Sequence, residues 1–207
     1  MTFSTQDAQH LPSPLWVLGT GTGVGKTYVA ARIARAWAEL GPVEYRKPIQ
    51  TGVRSEEDPE ADAPSVRGPG ITVATGVLLR APLSPLAAGE LEGRPLDLDA
   101  LAAWTTEAPA PGARLLLEAA GGVMVPLAPG RHFLAWATDF RIPCVVVAHG
   151  GLGTLNHALL TCEALMLRGW TIAALLLNPG LDASFEAAAE NARLLSLWLP
   201  FPVRILD

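Results

Sequence analysis

Lysine is nearly missing from this chain: Lys26 and Lys47 are the only two, against thirteen arginines. A coding bias explains the arginine excess but not the two exceptions. A compact ammonium approaches phosphate or a small anion as a point charge, which a wide guanidinium fork does not, so both lysines are read as functional. Cysteine is as scarce. Cys144 lies in an apolar run and Cys162 in a helical pattern, with no C-x-x-C pair and no histidine at metal-ligand spacing. That excludes a redox or zinc motif and leaves both as small core residues. Hydrophobic residues make up 50% and charged residues 17%, yet no apolar run approaches the roughly 18 residues that span a bilayer. A membrane is not an expected partner. The net charge of −5 comes without any lysine or arginine cluster, so nucleic acid is not expected either. Residues 1–14 lack a basic region followed by an apolar one. This excludes a secretory signal, points to the cytoplasm, and leaves a loose tail before a single domain at 15–207.

What is present is organised around Gly19-Thr-Gly-Thr-Gly-Val-Gly25-Lys26-Thr27, which follows the apolar run Leu15-Trp-Val-Leu18 and precedes an amphipathic segment. The order is strand, phosphate loop, helix. Closely spaced glycines let successive N–H groups point at phosphate oxygens, and the helix adds its positive end. In a P-loop the lysine reaches the β- and γ-phosphates and the following hydroxyl binds magnesium. Strict G-x4-G-K-[ST] spacing needs glycine at position 20, where this chain has Thr20. The loop therefore resembles a subgroup with a longer turn.

After the loop, Val29, Ala30, Ile33, Ala34 and Trp37 share one helical face, and Gly41-Pro42 ends that helix. A second strand is expected over 43–47 with Lys47 as its last residue. In open α/β sheets ligands gather at the carboxyl ends of strands, where both lysines would lie. Residues 53–70 form an acidic loop in which one carboxylate could bind metal, without the sequence saying which. A helix is expected over 97–107. Arg114-Leu-Leu-Leu-Glu118 reads as a central strand ending in a carboxylate, the Walker-B arrangement for magnesium, or alternatively a turn cap. Further expectations are a helix over 131–141, a strand over 143–148, and a second glycine-rich loop, Gly150-Gly-Leu-Gly-Thr154, before a helix to about Arg168. A strand over 172–177 then runs into Asn178-Pro179, followed by a helix over 182–197 and a short strand over 203–206. This alternation implies an α/β fold, a single-domain P-loop NTPase-type mostly parallel sheet with helices on both faces.

Five blocks together resemble the dethiobiotin synthetase family: the loop at 19–27, Lys-Pro-Ile-Gln-Thr-Gly at 47–52, Glu-Ala-Ala-Gly-Gly-Val-Met-Val-Pro-Leu at 118–127, Gly-Leu-Gly-Thr-Leu-Asn-His at 151–157, and Asn178. The resemblance implies ATP-driven ring closure on 7,8-diaminononanoate with CO2 and Mg2+ in a homodimer. It places Lys47 on a substrate carbamate, Thr51 beside a substrate amine, and Lys26 and Thr22 at the transferring phosphoryl group. Gly23, Val24, Gly25, Lys26, Thr27, Tyr28, Glu118, Ala119, Ala120 and Gly121 would surround ATP. Asn178 and Pro179 would meet the base, with backbone contacts from Pro202, Val203 and Arg204. Thr27, Asp62 and Glu118 match the metal ligands. Gly153, Thr154 and Asn156 would receive the substrate carboxylate from the neighbouring subunit. The chain departs from the family where an aspartate is replaced by Gly21 and a glycine by Ala119, whose methyl is expected to crowd the backbone there. A partition-type ATPase that binds a protein partner is the alternative, and it commonly has a signature lysine where this chain has Gly21.

Overall fold

The computed structural model describes residues 1–180 and 183–206. In chain order its elements are α1 (Thr5–Gln9), β1 (Leu15–Gly19), α2 (Lys26–Ala38), β2 (Val43–Thr51), α3 (Asp62–Val66), β3 (Ile71–Leu79), α4 (Pro85–Leu91), α5 (Leu98–Thr106) and β4 (Arg114–Glu118). Then come β5 (Pro126–Ala128), β6 (Arg131–His132), α6 (Phe133–Ala137), β7 (Cys144–His149), α7 (Thr154–Met166), β8 (Ile172–Asn178), α8 (Phe185–Leu195) and β9 (Val203–Ile205). Seven strands pair in the order β3-β2-β4-β1-β7-β8-β9, every neighbour parallel.

The strands read as continuous apolar runs because both faces of a parallel sheet are covered. Successive side chains alternate between two cores. Trp16, Leu18, Leu115, Leu117, Val146, Leu175 and Leu177 face the layer holding α5 to α8. Leu15, Val17, Leu116, Val145, Val147 and Leu176 face α1, α2 and α3. With all strands parallel, the loops after β1, β2, β4, β7 and β8 open on one edge, and β1 lies centrally between β4 and β7. The phosphate loop therefore leaves the middle of that edge.

Several local expectations differ from what forms. The first fourteen residues are not a loose tail. Ser4 and Asp7 close a capping box at the start of α1, Phe3 and Ala8 are buried, and the Phe3 N–H donates to the Ile205 carbonyl at 2.8 Å. Trp37 anchors the segment by donating from its indole to the Ala8 carbonyl at 2.8 Å. β2 does not stop at Lys47. Pro48 costs the ladder one N–H donor, but Ile49, Gln50 and Thr51 still pair with Val77, Leu78 and Leu79. Over 131–141 a single helix is replaced by a hairpin of β5 and β6 around Gly130, then the short α6 and a 3-10 turn. His132 caps α6 by accepting from the Ala135 N–H at 3.1 Å, and Phe133 packs edge-on against Trp16 at 5.2 Å. The last long helix begins at Phe185 after its cap Ser184, and the expected start at Asp182 lies outside the described residues.

Candidate active site

Tyr45 and Lys47 are two apart on β2, so they project from the same sheet face. Tyr45 is in register with Leu116 of β4, which places Glu118 diagonally ahead of it. Onto that face come the first turn of α2, carrying Thr27, and the first residue of α3, Asp62. Gln50, at the end of β2, accepts from the Asp62 N–H at 3.4 Å and ties α3 to the strand.

Glu118 is the hub. Its Oε1 accepts from the Thr27 hydroxyl at 2.9 Å and from the Lys47 ammonium at 2.7 Å, and its Oε2 accepts from the Tyr45 phenol at 2.9 Å. The Thr27 hydroxyl also lies 2.8 Å from Asp62 Oδ1, and Lys47 forms an ion pair with Asp62 as well as Glu118. Glu118 is 1% exposed and Lys47 4% exposed, so these charges meet where water screens them little. Burial alone pulls the Lys47 ammonium down, but the Glu118 and Asp62 carboxylates outweigh it and hold it above the ordinary lysine value. Burial, reinforced by the Glu118 charge, raises the Tyr45 phenol well above its usual range. It stays a donor.

Lys26 folds back over the loop and donates to the Gly21 carbonyl at 2.8 Å. Burial pushes its ammonium down to about 8, against the opposing pull of Glu118. Gly25 is the N-cap of α2 with φ 98, a left-handed conformation, and a side chain there would collide with the Asn178 amide. The loop can take its path only with glycine at this point.

These groups line one cavity of about 340 Å³, formed by Thr22, Gly23, Gly25, Lys26, Thr27, Lys47, Ile49, Gln50, Thr51, Asp62, Glu118, Ala120 and Gly121. Both of the chain's lysines thus face one space. Among the described residues no group of three or more histidine, cysteine or acidic side chains could hold a metal. Two carboxylates and one hydroxyl do converge, a set of hard oxygens that fits a cation such as magnesium completed by water and phosphate. The Lys47 ammonium resting against both carboxylates marks the same place as one of positive charge.

Other predicted residues fall outside the cavity. Val24 is buried, and its carbonyl accepts from Asn178 Nδ2 at 3.1 Å while Asn178 Oδ1 accepts from the Gly180 N–H at 3.2 Å. Asn178, next to Pro179, therefore braces the loop from the end of β8. Tyr28 is half-exposed on α2 with Arg32 over its ring. Ala119 does not crowd the site. Its N–H donates to the Val17 carbonyl at 3.1 Å and its methyl lies in the core beneath the sheet. Pro202, Val203 and Arg204, expected at the base, do not line this cavity. Pro202 precedes β9 at the amino edge of a parallel sheet, and with Arg204 it lines a separate cleft beside Phe3, Gln6 and Asp7 of the N-terminal segment. Gly153 caps α7 with φ 89, the Thr154 hydroxyl is buried with no partner among the described residues, and Asn156 is exposed. None of the three lines the cavity of its own chain.

Tyr45, Ile49 and Gln50 went unassigned from sequence. Gln50 sits inside the Lys-Pro-Ile-Gln-Thr-Gly block, and Tyr45 stands two residues before Lys47 on the same strand face. Those spacings were the available signal.

An AAA domain family model matches residues 14–202. The ATP-dependent dethiobiotin synthetase BioD of Methylobacterium nodulans is 36% identical over 195 residues, covering 86% of this chain and 87% of that protein. The protein of that name from Anaeromyxobacter dehalogenans strain 2CP-C is 38% identical over 188 residues, covering 87% of this chain and 84% of its own. The one from Paramagnetospirillum magneticum is 35% identical over 192 residues, with 91% and 88% covered.

Proposed function

Because this chain belongs to the dethiobiotin synthetase family, within the AAA domain group, we propose that its cavity carries out the ring closure of a diamine with CO2 at the expense of ATP. It is an ATP-dependent C–N ligase of biotin synthesis. The partition-type alternative is not favoured, since Gly21 stands at the position of its signature lysine. The observation that carries the reading is that the chain's only two lysines, both buried, line one cavity with Thr27, Asp62 and Glu118.

The chemistry follows from charge. One amine of 7,8-diaminononanoate adds to CO2 and loses a proton, giving a carbamate. A carbamate oxygen attacks the γ-phosphorus and ADP leaves. The second amine then attacks the carbonyl carbon of the mixed anhydride, phosphate leaves, and the cyclic urea of dethiobiotin closes. A carbamate and a triphosphate, both anionic, must meet, so catalysis is mostly positioning and electrostatic stabilisation. Lys47 would hold the carbamate, with the Thr51 hydroxyl beside the amine. Lys26 would exchange the Gly21 carbonyl for a phosphate oxygen, with Thr22 alongside. Thr27, Asp62 and Glu118 would hold magnesium, which when bound offsets charge on the phosphate oxygens. The loop from Gly23 to Tyr28 and the turn from Glu118 to Gly121 would wrap the phosphates. The base would lie towards Asn178 and Pro179, with Asn178 giving up its bonds to Val24 and Gly180. Gly153, Thr154 and Asn156 would serve the substrate carboxylate of a neighbouring subunit in a homodimer, since an anion at a helix start is favourable.

Phosphate release with ATP, magnesium and bicarbonate, with and without the diamine, tests this reading when repeated on Lys47→Arg with the product weighed by mass spectrometry. Release that requires the diamine, yields the cyclic urea and is lost in Lys47→Arg is the expected result. Slow release indifferent to the diamine would leave nucleotide hydrolysis without ring closure and sink the proposal.

A further inference from the structure

The oxygens of Glu118 are used differently. Oε1 faces Thr27 and Lys47 at the cavity, while Oε2 turns away from them to the Tyr45 phenol at 2.9 Å. Tyr45 is 0% exposed, so its hydroxyl has no water to turn to, and the side chain does not line the cavity. It cannot touch substrate or nucleotide. Its ring belongs to the buried core that also holds Leu116, Val17 and the apolar side chains of α2. The strands set the geometry: Tyr45 pairs with Leu116, and Glu118 lies two residues further along on the same face. A long side chain spans that diagonal with ease.

We propose that Tyr45 is a positioning residue: by holding Oε2 it fixes the plane of the Glu118 carboxylate so that Oε1 is presented to the cation site. The proposal rests on the reading of Glu118 as a metal ligand. A terminal carboxylate torsion has a broad minimum, and Thr27 and Lys47 alone pull on one oxygen without fixing the plane. Without the phenol, the carboxylate is free to turn, and a buried oxygen is left without a donor.

Mn2+ binding to the ADP-loaded full-length protein, followed by the loss of the free-ion paramagnetic resonance signal, is the test. Tyr45→Phe should weaken Mn2+ binding about 10-fold while leaving ADP affinity in chelator unchanged, and excess metal should restore most of kcat. A purely structural role would not separate metal from nucleotide in this way. Tyr45→Leu also lacks the hydroxyl and carries the same test if the Phe variant does not fold. In a Glu118→Gln background the Tyr45→Phe effect should disappear. If Glu118→Gln alone leaves Mn2+ affinity unchanged, the metal reading itself fails. If Glu118→Gln weakens binding but a folded Tyr45 variant binds Mn2+ like wild type, the positioning role is overturned and the metal reading survives.

Discussion

Lys26 enters the folded chain as a weakened base, its ammonium pushed down to about 8 by burial. A triphosphate arriving beside it favours the charged form and raises that value in the complex. Nucleotide affinity is then full below about pH 8 and falls as pH rises through the free-protein value toward that of the complex, by at most about tenfold per pH unit for this one group. Calorimetry at pH 8.5 in two buffers of different ionisation enthalpy should show proton uptake on binding ADP, and Lys26→Met should abolish that uptake. Affinity flat from pH 7 to 9.5, without buffer dependence, would contradict it. That Lys26 and Lys47 meet at one cavity was legible because rarity and spacing marked them. Tyr45 was not, because its partner is 73 residues away and the two meet only through strand register.

Among the elements, β2 carries Lys47, Ile49, Gln50 and Thr51 of the cavity wall and has a close neighbour. Gly76 of β3 faces it, and an added Cβ would stand 2.6 Å from the Pro48 carbonyl oxygen and 3.2 Å from Leu101 and Trp104 of α5. Backbone on one side and a packed helix on the other leave little room to yield. Gly76→Ala should cost on the order of 1–3 kcal/mol as overpacking, and at roughly 2–4 °C per kcal/mol for a chain of this size the shift is visible in a thermal melt. Ring-closing activity should fall further than stability alone explains, because Lys47 precedes Pro48 on the displaced strand. An unchanged Tm would show that the sheet can relax. The alternation of strands and helices was legible because both faces of a parallel sheet demand long apolar runs. Element ends were less so. Lys-Pro at 47–48 read as a strand end, though pairing with β3 carries β2 on to Thr51. Over 131–141 the expected helix gives way to β6, α6 and a 3-10 turn after Pro129-Gly130. The N-terminal residues looked polar, and Phe3, Ala8 and Leu11, too few to form a pattern, pack them onto the core.

At the scale of the whole molecule, the carboxyl edge of the sheet carries two glycine-capped helix starts: α2 inside the cavity, and α7 at Gly153, outside it. Leu152, beside Gly153, is fully exposed, and Leu160 and Leu167 further along are exposed too, an apolar exposure that fits a covered surface better than a solvated one. If α7 completes the site of a second subunit, then Lys47 and Asn156 of one chain never serve the same reaction. Lys47→Arg removes the lysine proposed to hold the carbamate, and Asn156→Asp places a carboxylate where the substrate carboxylate is proposed to dock, on an exposed position where the fold should tolerate it. Each variant alone should be inactive. Unfolded and refolded together, half of the dimers are mixed, and each mixed dimer holds one site with an intact Lys47 from one chain and an intact Asn156 from the other. Activity should return to about a quarter of wild type for a two-fold symmetric assembly. If all the site groups came from a single chain, every site in the mixture would stay broken and no activity would return, so the mixture decides between a shared site and a self-contained one even where light scattering reports a dimer in both cases.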